Sequence, residues 1–175
     1  MTSKQIERIV IENLAERQFP IYLPNYQNRG FSEADVFGII KAGQMYEYEI
    51  KVSKSDFLAD FKNKQHKHNL LKERKALHTY KRWERGKMTD ETYDIINLPN
   101  RFYYVCPAGL IGLSEIPDYA GLIYISDAGL CVEIKLAPIL HHHKANEAIY
   151  RNVATILSER NIWGCGYRTY KYKNK

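Results

Sequence analysis

Hydrophobic residues recur along the chain at two spacings, which distinguish predicted helices from predicted strands. Ile6, Val10 and Leu14 share one face of a helix predicted over residues 3–17. Helical spacing returns over residues 55–72, with a possible extension to 86, and over residues 144–160. Strand-like runs occupy residues 34–41, 45–52, 101–106 and a hairpin at 121–136, with a strand or loop at 19–26 and a possible short strand at 165–170.

These elements predict a single α/β domain over residues 1–175. We expect a mixed sheet flanked by helices, in α-β-β-β-α-β order. No repeat, low-complexity tract or linker divides the 175 residues, and this length supports one domain with a substantial core. The turn over residues 41–44 contains Gly43, the residue type that a hairpin between two strands favours.

This pattern places three charged residues where they can act together. Asp35 lies near the start of one predicted strand, and Glu49 and Lys51 share a face of the next, because alternate strand residues point the same way. Two converging carboxylates are hard oxygen ligands that suit Mg²⁺ or Mn²⁺. A neighbouring ammonium can hold a hydroxide nucleophile or offset the charge that develops on phosphorus. The arrangement therefore predicts a metal-dependent phosphodiesterase site.

A second copy of the same pattern lies later in the chain. Asp118 follows a proline, and Glu133 and Lys135 repeat the carboxylate and lysine at nearly the same spacing. No capped helix follows Lys135 at once, and Pro138 restricts the residue before it away from helical geometry. A serine or aspartate helix cap does follow Lys51. We therefore interpret the later copy as a surface charge pair on an ordinary hairpin.

Positive charge is concentrated in residues 51–87. The chain has a net charge of +6, but this segment holds twelve Lys or Arg against four Asp or Glu, a net of +8, which leaves −2 for the remainder. Such a segment attracts a nucleic-acid backbone or forms the solvated face of a lysine-rich helix. Because this segment follows the carboxylate pair directly, we favour contact with nucleic acid. The candidate contact residues are Lys54, Lys62, Lys64, Lys67, Lys72 and Lys75.

Other residues restrict the class of protein. The sequence has no run of about 18 apolar residues and no apolar leader, so we expect a cytoplasmic protein without membrane association. Cys106, Cys131 and Cys165 are odd in number and far apart, which favours reduced thiols over a disulfide framework or a zinc site. We expect residues 141–143, three consecutive histidines, in a loop or helix entry, because their side chains do not converge on one metal.

The segment Glu49–Phe57, with the sequence EIKVSKSDF, resembles the motif of the PD-(D/E)XK nuclease superfamily. It is most similar to that of the MmcB-like DNA-repair proteins and related phage proteins. The resemblance continues into residues 102–107 and 116–123, and so covers roughly residues 4–127. One departure is Ala34, where the motif has proline before the aspartate. The resemblance implies a restriction-endonuclease-like core.

The resemblance also implies a function and site roles. The implied enzyme is a Mg²⁺- or Mn²⁺-dependent deoxyribonuclease of DNA repair, recombination or phage DNA processing. Asp35 and Glu49 would hold the metal with the Ile50 carbonyl, while Lys51 would orient or deprotonate the attacking water. Glu7 resembles a helix glutamate that some resolvase-like members use as a further metal or water ligand, although it also reads as a solvent-facing helix residue.

The implied partner is DNA, and a homodimer is an option because resolvase-like relatives that cut two strands tend to pair. Two alternatives stay open. One is a non-catalytic nucleic-acid-binding protein that keeps the nuclease fold and the basic surface. The other is an interaction subunit of a repair or phage complex.

Overall fold

The structure is a computed structural model that describes residues 1–28, 31–84 and 86–164. It divides into two compact units, residues 1–145 and 146–175. The first unit contains α1 (Ser3–Glu16), β1 (Ile21–Asn28), β2 (Phe31–Ile39), β3 (Met45–Ile50), α2 (Lys54–Asn63), α3 (Gln65–Glu73), β4 (Leu77–Glu84), β5 (Lys87–Ile96), β6 (Arg101–Pro107), β7 (Ala120–Ile125) and β8 (Cys131–Lys135). The second unit contains α4 (Glu147–Gly164).

Six strands form one open mixed sheet in the order β1-β2-β3-β6-β7-β8. The three central strands β3, β6 and β7 run parallel, and the remaining pairings are antiparallel. Long connections join the parallel strands, as parallel pairing requires. This architecture confirms the expected α/β class with a mixed sheet flanked by helices. The restriction-endonuclease-like core stays a prediction.

Strand alternation gives the sheet two separate cores. On one face, Tyr48 and Ile50 of β3 pack with Val10 of α1. On the other face, Tyr104 of β6 packs with Phe57 of α2. Because alternate residues of β3 point to opposite faces, the acidic positions between its core residues lie on the side covered by α2 and α3.

Local capping explains where the first two helices begin. The Thr2 side chain accepts a hydrogen bond from the Gln5 N–H, and the Gln5 side chain accepts from Thr2 in return, which forms a capping box at α1. The Ser53 Oγ accepts from the Asp56 N–H at 3.1 Å and caps α2. The sequence-based prediction of a capped helix directly after β3 is therefore confirmed.

The segment after α2 differs from the prediction. The single helix expected from residue 55 is two helices separated at Lys64, and the extension to residue 86 is wrong. Arg74 adopts left-handed backbone geometry, with φ of 56°, and ends α3. Residues 77–84 and 87–96 instead form the antiparallel strands β4 and β5 of a hairpin, and Gly86 between them has φ of 78°. Glycine tolerates this geometry at no steric cost.

The later elements follow the sequence more closely. The predicted hairpin at 121–136 is β7–β8, with Gly129 in its turn at φ of 76°. Residues 141–143 lie in irregular backbone, as expected, and α4 begins at Glu147 rather than at 144. The possible strand at 165–170 and Cys165 lie outside the described residues. Cys106 and Cys131 are free thiols. Within the described ranges, no helix is both long and apolar enough to span a membrane.

Candidate functional site

Asp35, Glu49 and Lys51 meet in one cleft of about 280 Å³. Asp35 comes from β2, and Glu49 from the neighbouring strand β3, while Lys51 follows β3 directly. Residues of α2 and the Lys64 position close the other side of the cleft. Adjacent strands and a capped helix thus bring together the three residues that the spacing had associated.

Asp35 is held by the backbone of the neighbouring strand. Its Oδ2 accepts a hydrogen bond from the Ile50 N–H at 2.7 Å. Burial and the nearby negative charge of Glu49 raise the pKa of Asp35, and the Ile50 hydrogen bond opposes that shift. A bound cation would offset the negative charge of Glu49 that raises the pKa of Asp35.

Glu49 is nearly inaccessible and contacts three ammonium groups. Its Oε1 lies 3.0 Å from the Lys51 Nζ and also pairs with Lys64, and its Oε2 lies 2.9 Å from the Lys67 Nζ. Burial alone raises the pKa of Glu49, but Lys67, Lys51 and Lys64 together hold it below its ordinary value. Glu49 is therefore ionised at neutral pH.

Lys51 is held between two carboxylates. Its Nζ donates to Glu49 at 3.0 Å and to the Asp60 Oδ1 at 2.8 Å, and its side chain is 4% exposed. Burial lowers the pKa of Lys51, but the two acids more than compensate and raise it above its ordinary value. The Lys51 ammonium is consequently fixed in direction and stays protonated.

Asp60 belongs to the same cluster, although the sequence analysis did not assign it. Its Oδ2 accepts from Tyr104 Oη at 3.3 Å and lies 3.0 Å from the His68 Nε2. His68 Nδ1 in turn lies 2.9 Å from the Tyr119 hydroxyl. Burial raises the pKa of Asp60, but the contacts with His68 and Lys51 hold it well below its ordinary value. Asp60 lies one turn after Phe57 on the buried side of α2, which was the available signal.

A further ion pair adjoins Glu49, because Lys67 contacts both Glu49 and Glu47. Glu47 and Lys67 are in direct contact, and both are almost completely buried. Burial raises the pKa of Glu47 to about 7 against the opposing effect of Lys67. Glu47 alternates with Glu49 along β3, so strand periodicity would have placed both on one face.

The six basic residues expected at a nucleic-acid surface occupy different environments. Lys62, Lys72 and Lys75 are exposed, and Lys54 is partly exposed and pairs with Glu115. Lys67 is 3% exposed and engages internal carboxylates, so the expected surface position is wrong for this residue. Lys67 contacts β3 from the buried side of α3, a placement that its charge alone does not indicate. Lys64 is intermediate, with its ammonium in the cleft.

Glu7 lies on α1. It pairs with Lys4 at 2.7 Å, and its side chain is 14% exposed, so it is not a fully solvated helix residue. Ser3, one turn earlier on α1, lines the cleft. A role for Glu7 as a further ligand stays a prediction.

The later motif copy has ordinary structural contacts. Glu133 lies exposed on β8 and accepts a hydrogen bond from Tyr103 Oη at 3.2 Å. The Lys135 Nζ donates to the backbone carbonyl of Pro117 at 2.9 Å. These contacts agree with the interpretation of a hairpin with surface charges.

The comparisons with known proteins show a similarity of fold. No protein-family model matches the chain, and no curated protein matches its sequence. A solved structure of a protein of unknown function from Silicibacter pomeroyi is similar, with a TM-score of 0.65 and 17% sequence identity. The similarity covers 99% of this chain and 98% of the other.

In the part of this chain that the structure describes, no group of three or more His, Cys, Asp or Glu is gathered as a metal site.

Proposed function

We propose that the chain is a Mg²⁺- or Mn²⁺-dependent deoxyribonuclease that hydrolyses phosphodiester bonds. The observation that carries the proposal is the convergence of Asp35, Glu49 and Lys51 in one cleft, with Asp35 fixed by the Ile50 N–H at 2.7 Å. Two acids and one lysine of this kind combine hard oxygen ligands with a positive charge near the reacting phosphate.

The donor set suits a hard divalent cation. Asp35 and Glu49 would hold it together with the Ile50 carbonyl, all of which line the cleft. The raised pKa of Asp35 reflects burial and its carboxylate neighbour, so a cation between the two acids would relieve an existing electrostatic cost. When bound, the metal supplies a Lewis acid and lowers the pKa of a water ligand.

Of the two roles expected for Lys51, orientation and deprotonation of the attacking water, we propose the first. Because the pKa of Lys51 is raised, its side chain stays protonated at neutral pH and does not take a proton from water. We assign to it the orientation of the attacking water and the neutralisation of charge on phosphorus. Asp60 directs the ammonium from its other side at 2.8 Å.

The surface lysines give the proposed DNA contact. Lys62 is exposed on α2, which borders the cleft, and Lys72 and Lys75 are exposed on and just after α3. Each can neutralise a phosphate without breaking a buried contact, unlike Lys67. DNA would then approach along α2 and α3 toward the carboxylate pair.

A second candidate is a nucleic-acid-binding protein without catalysis. The contacts of Glu49 favour it, because both carboxylate oxygens already pair with lysines of the chain. In that case the acids and lysines stabilise the fold, and DNA affinity is independent of Mg²⁺ and of Asp35.

The two candidates are separated by cleavage assays. Purified protein is incubated with circular single-stranded, linear duplex and branched DNA, each with Mg²⁺, Mn²⁺ or EDTA. The nuclease proposal expects cleavage with metal that is lost in Asp35→Ala, Glu49→Ala and Lys51→Ala. Glu133→Ala is the matched control, because it removes the corresponding acid of the later motif copy. Full activity in Glu49→Ala would refute the site assignment.

A further inference from the structure

The Lys64 ammonium lies inside the proposed metal cleft. It pairs with the Glu49 Oε1 and lies 3.4 Å from the Asp60 Oδ1. Asp35 lines the same cleft, and the positive charge of Lys64 opposes the rise in the pKa of Asp35. A positive group of the chain thus contacts the acid that we propose as a metal ligand.

Lys64 differs from the other two ammonium groups of the cluster. The side chains of Lys51 and Lys67 are 4% and 3% exposed, whereas that of Lys64 is 35% exposed. Lys67 also donates to the Glu33 carbonyl at 3.1 Å. Lys64 therefore reaches the acids from the solvent side, and its long side chain can rotate outward without exposing the core.

The position of Lys64 between two helices leaves its side chain free of any helix-capping contact. The residue ends α2 and begins α3, with φ of −113° and ψ of 34°, and its N–H donates to the Asp60 carbonyl. No side-chain capping bond is made at the start of α3. The side chain consequently has no part in holding the two helices together through a cap.

The charges of the cluster match an exchange of Lys64 for a divalent ion. The cluster contains four carboxylates and three ammonium groups: Asp35, Glu47, Glu49 and Asp60 with Lys51, Lys64 and Lys67. Counted formally as carboxylates and ammonium groups, the seven side chains carry a net charge of −1. Withdrawal of Lys64 leaves −2, which one divalent cation neutralises.

We propose that the Lys64 ammonium occupies the place on Glu49 at which a divalent cation would bind, and that a metal held by Glu49 and Asp35 binds by displacing it. This inference rests on the proposed metal site. Metal affinity is then set by competition with Lys64, which weakens the binding of the metal.

Calorimetric titration with Mn²⁺ alone tests the competition. Lys64→Met removes the ammonium and keeps a flexible side chain, so Mn²⁺ should bind roughly fivefold tighter or more. Lys64→Arg keeps the charge and should bind no tighter than the unmodified chain. Lys62→Met is the matched charge control, since it removes an exposed lysine from the same helix, and its Mn²⁺ affinity should stay within about twofold. Circular dichroism checks that each variant is folded.

Chemical acetylation tests the displacement itself. With saturating Mn²⁺, the acetylation rate of Lys64 should rise severalfold, whereas that of Lys62 should not change. Peptide mass spectrometry gives both rates in one sample. In Asp35→Asn, which weakens the metal site, the response at Lys64 should disappear at the same Mn²⁺ concentration.

The outcomes separate this inference from the proposed function. Tighter Mn²⁺ binding in Lys64→Met, with the acetylation response, supports the exchange. Binding of Mn²⁺ to the unmodified chain with equal or weaker affinity in Lys64→Met overturns the exchange and leaves the nuclease proposal standing. Absence of Mn²⁺ binding in both proteins overturns the metal site and the exchange together.

Discussion

Replacement of Lys67 by methionine tests whether this lysine belongs to the protein interior or to a DNA surface. The Lys67 Nζ contacts the Glu47 carboxylate, the Glu49 Oε2 at 2.9 Å and the Glu33 carbonyl at 3.1 Å. Removing one member of a buried ion pair leaves an uncompensated charge and costs about 3–5 kcal/mol. Glu49 keeps its other two lysines, so most of the cost falls on Glu47.

The free energy of unfolding is measured by urea denaturation at about pH 9, with circular dichroism as the signal, because Glu47 is ionised in the folded protein only above its pKa of about 7. We expect a loss of about 3 kcal/mol or more in Lys67→Met. Adding Glu47→Gln should recover at least about 1 kcal/mol, because the unpaired carboxylate is gone. Lys72→Met is the control, since this exposed residue of α3 should change stability by no more than about 0.5 kcal/mol. A loss below about 1 kcal/mol in Lys67→Met would refute the reasoning.

Three further predictions concern pH, packing and DNA affinity. The pKa of Glu47 is about 7 when folded, above its ordinary 4.5, so the folded state keeps a proton that the unfolded chain releases. Its contribution to stability should fall by up to about 3 kcal/mol from pH 4.5 to 7, and Glu47→Gln should remove that fall in urea denaturation; an unchanged pH slope would contradict this. Gly121→Ala should cost roughly 1–3 kcal/mol in the same assay, because the new Cβ would lie 2.5 Å from the Tyr103 ring; unchanged stability would contradict that packing. Lys62→Glu with Lys72→Glu should flatten the slope of log affinity for DNA against log salt by about two, whereas an equal slope would place DNA elsewhere.

The candidate site was largely predictable because its residues follow a simple rule. Glu49 and Lys51 alternate along one strand, and the hairpin that joins β2 to β3 brings Asp35 beside them. The serine cap after Lys51 marks the helix that closes the cleft. These are local features, and the chain near them fixes their geometry.

The remaining members of the cluster depend on tertiary packing. Lys67 lies on a helix with charged residues on several sides, so its charge alone favours a solvated position. Only the docking of α3 on the sheet places it against Glu47 and Glu49. Asp60 likewise becomes a partner of Lys51 because α2 packs across the end of β3.

The β4–β5 hairpin was missed for a different reason. Leu77, Tyr80 and Trp83 recur every third residue, a spacing that favours a helix over a strand. The left-handed geometry at Arg74, which ends α3, has no strong signal in the sequence because the residue is not a glycine.

The central claim is that Asp35 and Glu49 form a divalent-cation site, and a thermal melt with added Mn²⁺ tests it without requiring the correct DNA substrate. At about ten times the dissociation constant, binding to the folded state adds about 1.4 kcal/mol, which corresponds to a rise of roughly 3–5 °C in Tm. The account predicts this rise in the unmodified chain and its loss in Asp35→Asn with Glu49→Gln. An equal melting temperature with and without Mn²⁺, up to about 10 mM, would contradict it.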